Sequence, residues 1–228
     1  MIYLHENGVT VVATDEAKRG KVYELNGEEY YIARGVSDIK RIVDSGEYPL
    51  NRVVTSKLTT LNYLFQIRGG WNNRAVPENF NDDITNWDTS NVTEMKEVFS
   101  GWPTFNQDIS NWDTGEVTNM YNAFQNAWEF NQDISGWNTE KVVSMRQTFR
   151  LAKKFNQDIS GWQIPLVNDM RGFLKQTEVF DQDLSGWDVN GVTQCAQFIL
   201  NAQSMSETKI PNFTNCNPNF ENSSSDSN

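Results

Sequence analysis

The chain has 228 residues, with 19 Lys and Arg against 30 Asp and Glu, which gives a formal net charge of -11. This length allows one large domain or two small ones, and the acidity excludes nucleic acid and an anionic membrane surface as the main partners of the whole molecule. Two cysteines and one histidine leave most zinc sites and most nucleophilic schemes without a second component, so we expect no metal and no cofactor.

The opening stretch MIYLHENGVTVV lacks a cationic segment and an apolar run of the length that export requires. Nowhere does the chain contain 18 consecutive apolar residues. The sequence therefore predicts neither an export signal nor membrane insertion.

Residues 1–45 predict a small β-rich N-terminal subdomain that serves for attachment. Asn26 and Gly27 lie between alternating apolar positions, which is a strong hairpin signal. The segment from Val9 to Ala13 predicts another strand. A short helix follows, with Ser37 as its N-cap and Gly46 near its end.

Residues 46–79 predict an imperfect capping repeat and a projecting loop. Leu58, Leu61 and Phe65 keep the apolar spacing of a helix. The loop QIRGGWNNRAVPENF follows and is long for a junction between repeats.

Residues 80–204 contain five repeats of 25 residues, each written as a variant of FNQDISGW. The period is marked by two aromatic residues per repeat. They are Phe80, Phe105, Phe130, Phe155 and Phe180, and Trp87, Trp112, Trp137, Trp162 and Trp187. A fixed period of this size is typical of a solenoid, in which equivalent side chains of stacked repeats bury one another. We expect the repeated tryptophans to be core residues.

Within each repeat the pattern predicts two elements. Val92, Met95 and Phe99 lie at i, i+3 and i+7, which favours a short helix, and Thr89 precedes them as its N-cap. The first half predicts a short extended segment. The predicted fold class is α/β, a leucine-rich-repeat-like solenoid of a short strand plus a short helix per repeat, with the small β-rich N-terminal subdomain.

Residues 205–228 predict a C-terminal cap and a polar, disordered tail. Cys195 stands in the column that methionine occupies in earlier repeats. Two alternatives follow: a buried free thiol, or a disulfide with Cys216 if the C-terminal segment folds back as a cap.

The string FNQDISNWDTGEVTNM, from Phe105 to Met120, resembles the repeat of the BspA-like leucine-rich-repeat surface proteins. The resemblance covers about Val53 to Leu200 and implies a repeat scaffold that binds a partner and has no catalytic activity. The opening MIYLHENG, followed by a small Asn-Gly hairpin, more loosely resembles the starts of repeat proteins encoded by phages of marine bacteria.

One aspartate recurs in every repeat, at Asp83, Asp108, Asp133, Asp158 and Asp183. If extended segments stack about 4.8 Å apart, adjacent carboxylates could act as a glycosidase pair or share a calcium ion. The simplest interpretation is that each carboxylate accepts backbone N–H groups of its own turn.

Two groups of residues are candidates for contact with a partner or a glycan. Three tryptophans lie outside the repeat column, in the loop and in turns, where exposed aromatic residues make good anchors: Trp71, Trp102 and Trp128. The third repeat alone has an excess of basic residues, which either meet an acidic glycan or acidic neighbouring subunit or form a solvated face: Arg146, Arg150, Lys153 and Lys154.

Together these features predict a non-enzymatic repeat scaffold for protein or glycan recognition. The favoured setting is the virion, as a phage spike, fibre or decoration protein involved in host attachment. Other virion proteins would bind the N-terminal subdomain, and a host surface protein or glycan would bind the solenoid, with homo-oligomer formation left open. The alternatives are a bacterial cell-surface adhesin and, third, a polysaccharide-acting enzyme.

Overall fold

The regular secondary structure lies near the N-terminus. The computed structural model describes residues 1–66 and 81–219. Its strands and its one α-helix in these residues are β1 (Ile2–Leu4), β2 (Val11–Ala13), β3 (Val22–Leu25), β4 (Glu28–Ile32), α1 (Val36–Ser45) and β5 (Val53–Val54). Short 3-10 turns cover Leu50–Arg52 and Glu207–Lys209.

The strands form two small sheets. β1 and β2 pair antiparallel, and the second sheet has the order β3-β4-β5, with β3 and β4 antiparallel and β4 and β5 parallel. The turn between β3 and β4 has positive φ at both central residues, 54° at Asn26 and 80° at Gly27. This is the backbone that a two-residue hairpin turn requires, so the hairpin prediction is confirmed.

Helix α1 buries Ile39 and Ile42 and ends at Gly46, whose φ of 64° is left-handed. The predicted end at Gly46 is thereby confirmed. The predicted N-cap is wrong, because the helix begins after Gly35 without a side-chain cap, and Ser37 lies inside it. No helix in the described parts of the chain is long and apolar enough to cross a membrane.

The predicted α/β, leucine-rich-repeat-like solenoid of a short strand plus a short helix per repeat is wrong. Between Val54 and Glu207 the described residues contain neither a strand nor a helix. The repeats consist of turns, and successive repeats are joined by isolated parallel β-bridges. The bridged residues are Thr60, Glu94, Asn119, Ser144, Asp169 and Gln194.

The hydrogen-bond pattern explains why no helix forms. Met95 donates its N–H to the carbonyl of Asn119 (3.0 Å), and Phe99 donates to Ala123 (2.9 Å), so these donors are not used within their own segment. Glu97 between them has a φ of 56°, which is incompatible with a right-handed helix. The chain instead makes consecutive four-residue turns, closed by bonds such as that from the N–H of Val98 to the carbonyl of Met95. These turns also place apolar residues at the i, i+3 and i+7 positions.

The repeated threonine binds the next repeat instead of capping a helix. The hydroxyl of Thr89 donates to the carbonyl of Asp113 (2.9 Å), and that of Thr114 donates to Asn138 (3.0 Å). In the fourth repeat, Ile164 occupies the equivalent position. The hydroxyl is therefore a tie between repeats.

The repeated tryptophans are buried, with exposed fractions between 1% and 6%, so their predicted core position is confirmed. Each indole N–H donates to a carbonyl of the preceding repeat. Trp112 binds the carbonyl of Ile84 at 3.2 Å, and Trp137 binds that of Ile109 at 3.1 Å. One residue type thus supplies both apolar packing and a hydrogen bond between repeats.

The repeated phenylalanines from Phe105 to Phe180 form a column of stacked rings. Centroids of Phe105 and Phe130 are 5.5 Å apart, those of Phe130 and Phe155 5.8 Å, and those of Phe155 and Phe180 5.7 Å. The interplanar angles are 12°, 10° and 13°. This offset stacking gives the repeats a continuous core.

The C-terminal segment covers the last repeat. Phe213 meets the ring of Phe198 edge-on at 5.1 Å, and the carbonyl of Lys209 accepts the N–H of Leu184. Cys195 and Cys216 form a disulfide. Of the two alternatives that the sequence leaves open, the structure shows the disulfide.

Replacing Trp137 tests the role of the tryptophan column. We expect Trp137→Ala to lower the free energy of unfolding by about 3–5 kcal/mol, since a large buried side chain is lost. Trp137→Phe should cost about 1–3 kcal/mol, because the carbonyl of Ile109 loses its donor. Urea unfolding followed by circular dichroism measures both. Trp128→Ala, at a side chain that is 36% exposed, is the control, and an equal loss there would contradict the assignment.

Removing the disulfide should destabilise the C-terminal end. The bond joins residues 21 positions apart, a loop length for which chain-entropy arguments give about 3 kcal/mol. Cys216→Ser should lower the melting temperature by an amount that reducing agent reproduces in the unmodified protein. A melting temperature that does not respond to reductant would contradict this.

Candidate functional site

A column of aromatic and cationic side chains runs along the part of the structure where the β-bridges join the repeats. We call Tyr63, Lys96, Tyr121 and Arg146 the cation–tyrosine ladder. Lys96 Nζ lies 5.1 Å from the ring centroid of Tyr63 and 5.2 Å from that of Tyr121, and Arg146 Cζ lies 5.5 Å from the Tyr121 centroid. All four residues are partly exposed. Tyrosine rings and cations thus alternate along the ladder, and each cation lies within cation–π distance of a neighbouring ring.

The backbone of the repeats holds the ladder in place. Lys96, Tyr121 and Arg146 occupy equivalent positions 25 residues apart. The carbonyl of Lys96 accepts the N–H of Tyr63 (2.9 Å), that of Tyr121 accepts the N–H of Glu97 (2.8 Å), and that of Arg146 accepts the N–H of Asn122 (3.0 Å). Each ladder residue after Tyr63 is therefore fixed to the repeat before it.

The positive charge of the ladder is concentrated at Lys96 and Arg146. A hydrogen bond with Tyr63 raises the pKa of Lys96 above its usual value, with a smaller contribution from the charge of Glu97. Arg171 continues the column, but it forms a 2.6 Å ion pair with Asp169. The ladder therefore places two cations, Lys96 and Arg146, beside the ring of Tyr121.

The basic residues predicted from the third repeat have different environments. Arg146 belongs to the ladder. Lys153 lies over the ring of Trp128 at 5.3 Å and pairs with Glu178 at 2.9 Å. Lys154 pairs with an acidic side chain of the preceding repeat, Glu129. Exposed pairs of this kind are worth little stability, and they neutralise much of the predicted basic face.

Arg150 is partly exposed, and its Nε atom has no hydrogen-bond acceptor within the described residues. No ion pair with an acidic residue is recorded for it in residues 1–66 and 81–219. Its predicted role as a contact residue stays a prediction.

The three tryptophans predicted as anchors differ in position. Trp71 lies outside the described residues. Trp128 is 36% exposed, and its role as an anchor stays a prediction. Trp102 is only 2% exposed and lies 5.1 Å from the ring of Phe65 and 4.9 Å from that of Phe105. Its predicted position outside the packing columns is wrong.

The burial of Trp102 has a clear cause in the repeat. The turn at Gly101, with a φ of 74°, directs the following residue into the core. The equivalent positions of the next two repeats hold Ala127 and Ala152, both fully buried. In the sequence, these two alanines were the feature that indicated a buried position.

The repeated aspartates bind their own turns. Asp133 Oδ1 accepts the N–H of Ser135 at 2.9 Å, and Asp108, Asp158 and Asp183 accept the N–H two residues on at the same distance. These bonds lower the pKa of Asp133, chiefly through the backbone N–H of Ser135. The simplest interpretation is confirmed. In residues 1–66 and 81–219, no group of three or more His, Cys, Asp or Glu is placed to hold a metal ion.

Asparagines form a second polar column, from repeat to repeat. Asn106 Oδ1 accepts the N–H of Asn131, Asn131 Oδ1 accepts that of Asn156, and Asn156 Oδ1 accepts that of Asp181, all at 2.9 Å. This column supports the stacking, and the side-chain oxygens of these asparagines are occupied by backbone N–H groups.

These features define a tandem-repeat protein whose turn-built repeats are joined by backbone and side-chain hydrogen bonds. The chain belongs to the family described as Mycoplasma protein of unknown function, DUF285, whose model matches residues 43–149 and 109–214. The two matched ranges overlap, which is possible because the sequence repeats every 25 residues. This family is associated with BspA-like surface repeat proteins. No curated protein and no solved structure matches the chain.

Acid should weaken the repeats through the aspartate turns. Hydrogen bonds from Ser135, Ser160 and Ser185 lower the folded-state pKa values of Asp133, Asp158 and Asp183. The stability they contribute is fully present above the unfolded-state pKa near 4. It is lost as the pH falls through the lower folded-state values.

We therefore expect the melting temperature to fall between about pH 5 and about pH 2, as measured by calorimetry. Asp133→Asn should reduce this fall, since an amide oxygen still accepts the N–H of Ser135 but does not titrate. An identical pH profile for the variant would contradict the assignment.

Proposed function

We propose that the protein is a non-enzymatic recognition scaffold that binds an acidic glycan along the cation–tyrosine ladder. The observation that carries the proposal is the contact of Tyr121 with both Lys96 and Arg146. This arrangement fixes two cations at one face of the repeats. A rigid side chain loses little conformational entropy when it binds, which favours affinity.

The spacing supports a linear polymer as the partner. Lys96 and Arg146 lie two repeats apart, and stacked segments step by about 4.8 Å, so the two cations are separated by about 10 Å. A linear acidic polysaccharide carries its acidic groups at a regular interval, whereas an arbitrary protein surface does not. The partner would lie parallel to the direction in which the repeats follow one another.

The two cations offer different contacts. The planar guanidinium of Arg146 can donate two parallel hydrogen bonds to a carboxylate or sulfate group. Lys96 offers a compact charge, held over two rings. Both partly retain water in the free protein because they are not fully buried, so the ionic contacts should weaken as salt is added.

Catalysis is not included in the proposal. A glycosidase needs one carboxylic acid and one carboxylate at a defined separation. The described repeat aspartates instead share one environment, in which each accepts an N–H of its own turn. Nothing in this column distinguishes an acid from a base.

The setting that we propose is a phage virion, where the protein serves as a spike, fibre or decoration protein in host attachment. The loose resemblance of MIYLHENG and the following Asn-Gly hairpin to phage-encoded repeat proteins supports this setting. Residues 1–45, with their two hairpins, would contact other virion proteins.

A bacterial cell-surface adhesin is the second candidate, and two observations favour it. The family is associated with surface repeat proteins. The Cys195–Cys216 disulfide is of a kind that persists in oxidising surroundings. Mass spectrometry distinguishes the settings: purified particles should contain the protein in the first case, and the surface fraction of intact cells in the second.

Binding to polyanions tests the ladder. We expect the protein to bind heparin and polygalacturonate, but not dextran, in surface plasmon resonance. Lys96→Ala and Arg146→Ala should each weaken binding roughly tenfold, the size expected for a hydrogen bond to a charged group. Added salt should weaken it further.

The matched control is Lys141→Ala. This substitution removes the same charge, but Lys141 lies outside the ladder and pairs with Glu116. Equal losses in Lys96→Ala and Lys141→Ala would point to a general charge effect and contradict the proposed surface. Failure of the unmodified protein to bind either polyanion would contradict the proposal of an acidic glycan.

A further inference from the structure

A polar cavity of about 270 Å³ lies between the β1–β2 hairpin and the turns of the first two full repeats. It is separate from the ladder. Its principal polar lining comes from Tyr3, His5 and Thr10 on the hairpin side, and from Asp88, Asn111 and Asp113 on the repeat side.

Hydrogen bonds hold the two walls together. Val11 in β2 donates its N–H to the carbonyl of Asn86 at 3.1 Å. Ala13, at the end of the same strand, donates its N–H at 2.9 Å to the hydroxyl of Ser56, which lies outside the cavity in the segment before the first full repeat. In the hairpin, Tyr3 pairs with Val12, and both line the cavity. The cavity is therefore a product of the fold and is formed before any ligand arrives.

The repeat wall supplies hydrogen-bond acceptors. Asp88 Oδ1 accepts both the N–H and the hydroxyl of Ser90, at 3.1 and 2.6 Å. Asp113 Oδ1 accepts the N–H of Gly115 at 2.9 Å. In each carboxylate the bonds use one oxygen, which leaves the second oxygen as an acceptor for a ligand.

The cavity also has hydrogen-bond donors. His5 Nδ1 accepts the N–H of Asn7 at 3.3 Å, so Nε2 is the ring nitrogen that can donate to a ligand. Within residues 1–66 and 81–219, neither the hydroxyl of Tyr3 nor the amide of Asn111 has a hydrogen-bond partner. These three groups can donate to a ligand.

We propose that this cavity binds a pyranose sugar that carries no acidic group. Sugar hydroxyls donate and accept hydrogen bonds, which matches the mixed lining, and the ring of Tyr3, 47% exposed as a residue, offers an apolar surface. Asp88 and Asp113 disfavour an anion. The volume of about 270 Å³ lies just below the range of about 300–1,000 Å³ for drug-sized ligands, which fits a single ring.

The later repeats provide a comparison within the same chain. Equivalent turns of the fourth and fifth repeats line a second cavity of about 270 Å³. There Ile164 and Pro165 occupy the positions that Thr89 and Ser90 have in the first cavity, and the β1–β2 hairpin contributes nothing to the lining. The hairpin residues Tyr3 and His5 are thus specific to the first cavity.

Saturation-transfer NMR on the full chain tests the proposal with three probes at equal concentration. They are methyl glucopyranoside, N-acetylglucosamine and glucuronate. We expect saturation transfer to at least one of the first two and a far weaker signal for glucuronate. Tyr3→Ala and Asn111→Ala should each weaken binding of the sugar roughly tenfold, as expected for loss of a hydrogen bond or ring contact.

Two controls separate this site from the rest of the surface. Gln163→Ala changes the position that corresponds to Asp88 in the second cavity and should leave sugar binding unchanged. Tyr121→Ala should weaken polyanion binding and leave sugar binding unchanged. The proposed polyanion site and the proposed sugar site are therefore tested independently of each other. Thermal unfolding confirms that each variant is folded.

Three results would overturn the proposal. One is the absence of saturation transfer to both sugars without an acidic group. Another is binding that Tyr3→Ala and Asn111→Ala leave unchanged in folded protein, since the sugar then lies elsewhere. The third is glucuronate binding as strong as that of the other sugars, which would contradict the proposed ligand class.

Discussion

The hydrogen bond from the backbone N–H of one repeat to a carbonyl of the next is the interaction on which this structure depends. In the first full repeat, Met95, Phe99 and Gly101 all donate in this way. Threonine hydroxyls and tryptophan indoles add side-chain bonds between the same repeats. A single repeat has no internal partner for these donors, so its conformation requires its neighbours, as in other repeat proteins.

This constraint also determines where recognition can occur. Because the interior columns use the repeated tryptophans, phenylalanines and threonines, recognition is left to the variable positions that lie at the surface. Lys96, Tyr121 and Arg146 occupy one such position, and their contacts follow from the register of the backbone. The polar cavity arises differently, where the N-terminal hairpin meets the turns of the first repeats.

The sequence alone was sufficient for the period, the buried tryptophans, the Asn26-Gly27 hairpin and the aspartate turns. It failed on local conformation, because the spacing of Val92, Met95 and Phe99 suits a helix and also suits consecutive four-residue turns. The N–H groups of Met95 and Phe99 bond to carbonyls 24 positions further along the chain, and these bonds favour the turns over the helix. The ladder was missed because its members are 25 or more residues apart, although the shared period of Lys96, Tyr121 and Arg146 was a readable signal.

The direction of the bonds between repeats makes the array electrically polar. The carbonyl of Glu94 accepts a hydrogen bond from the preceding repeat, while the next N–H, that of Met95, points to the following repeat, and Glu97, Phe99 and Gly101 repeat this orientation. Bonds such as those from Thr93 to Thr59 and from Glu129 to Pro103 run the opposite way and are fewer. Peptide dipoles aligned this way add along the array, as they do along a helix axis. The sense is opposite to that of an α-helix, because here the positive pole faces the C-terminal repeats.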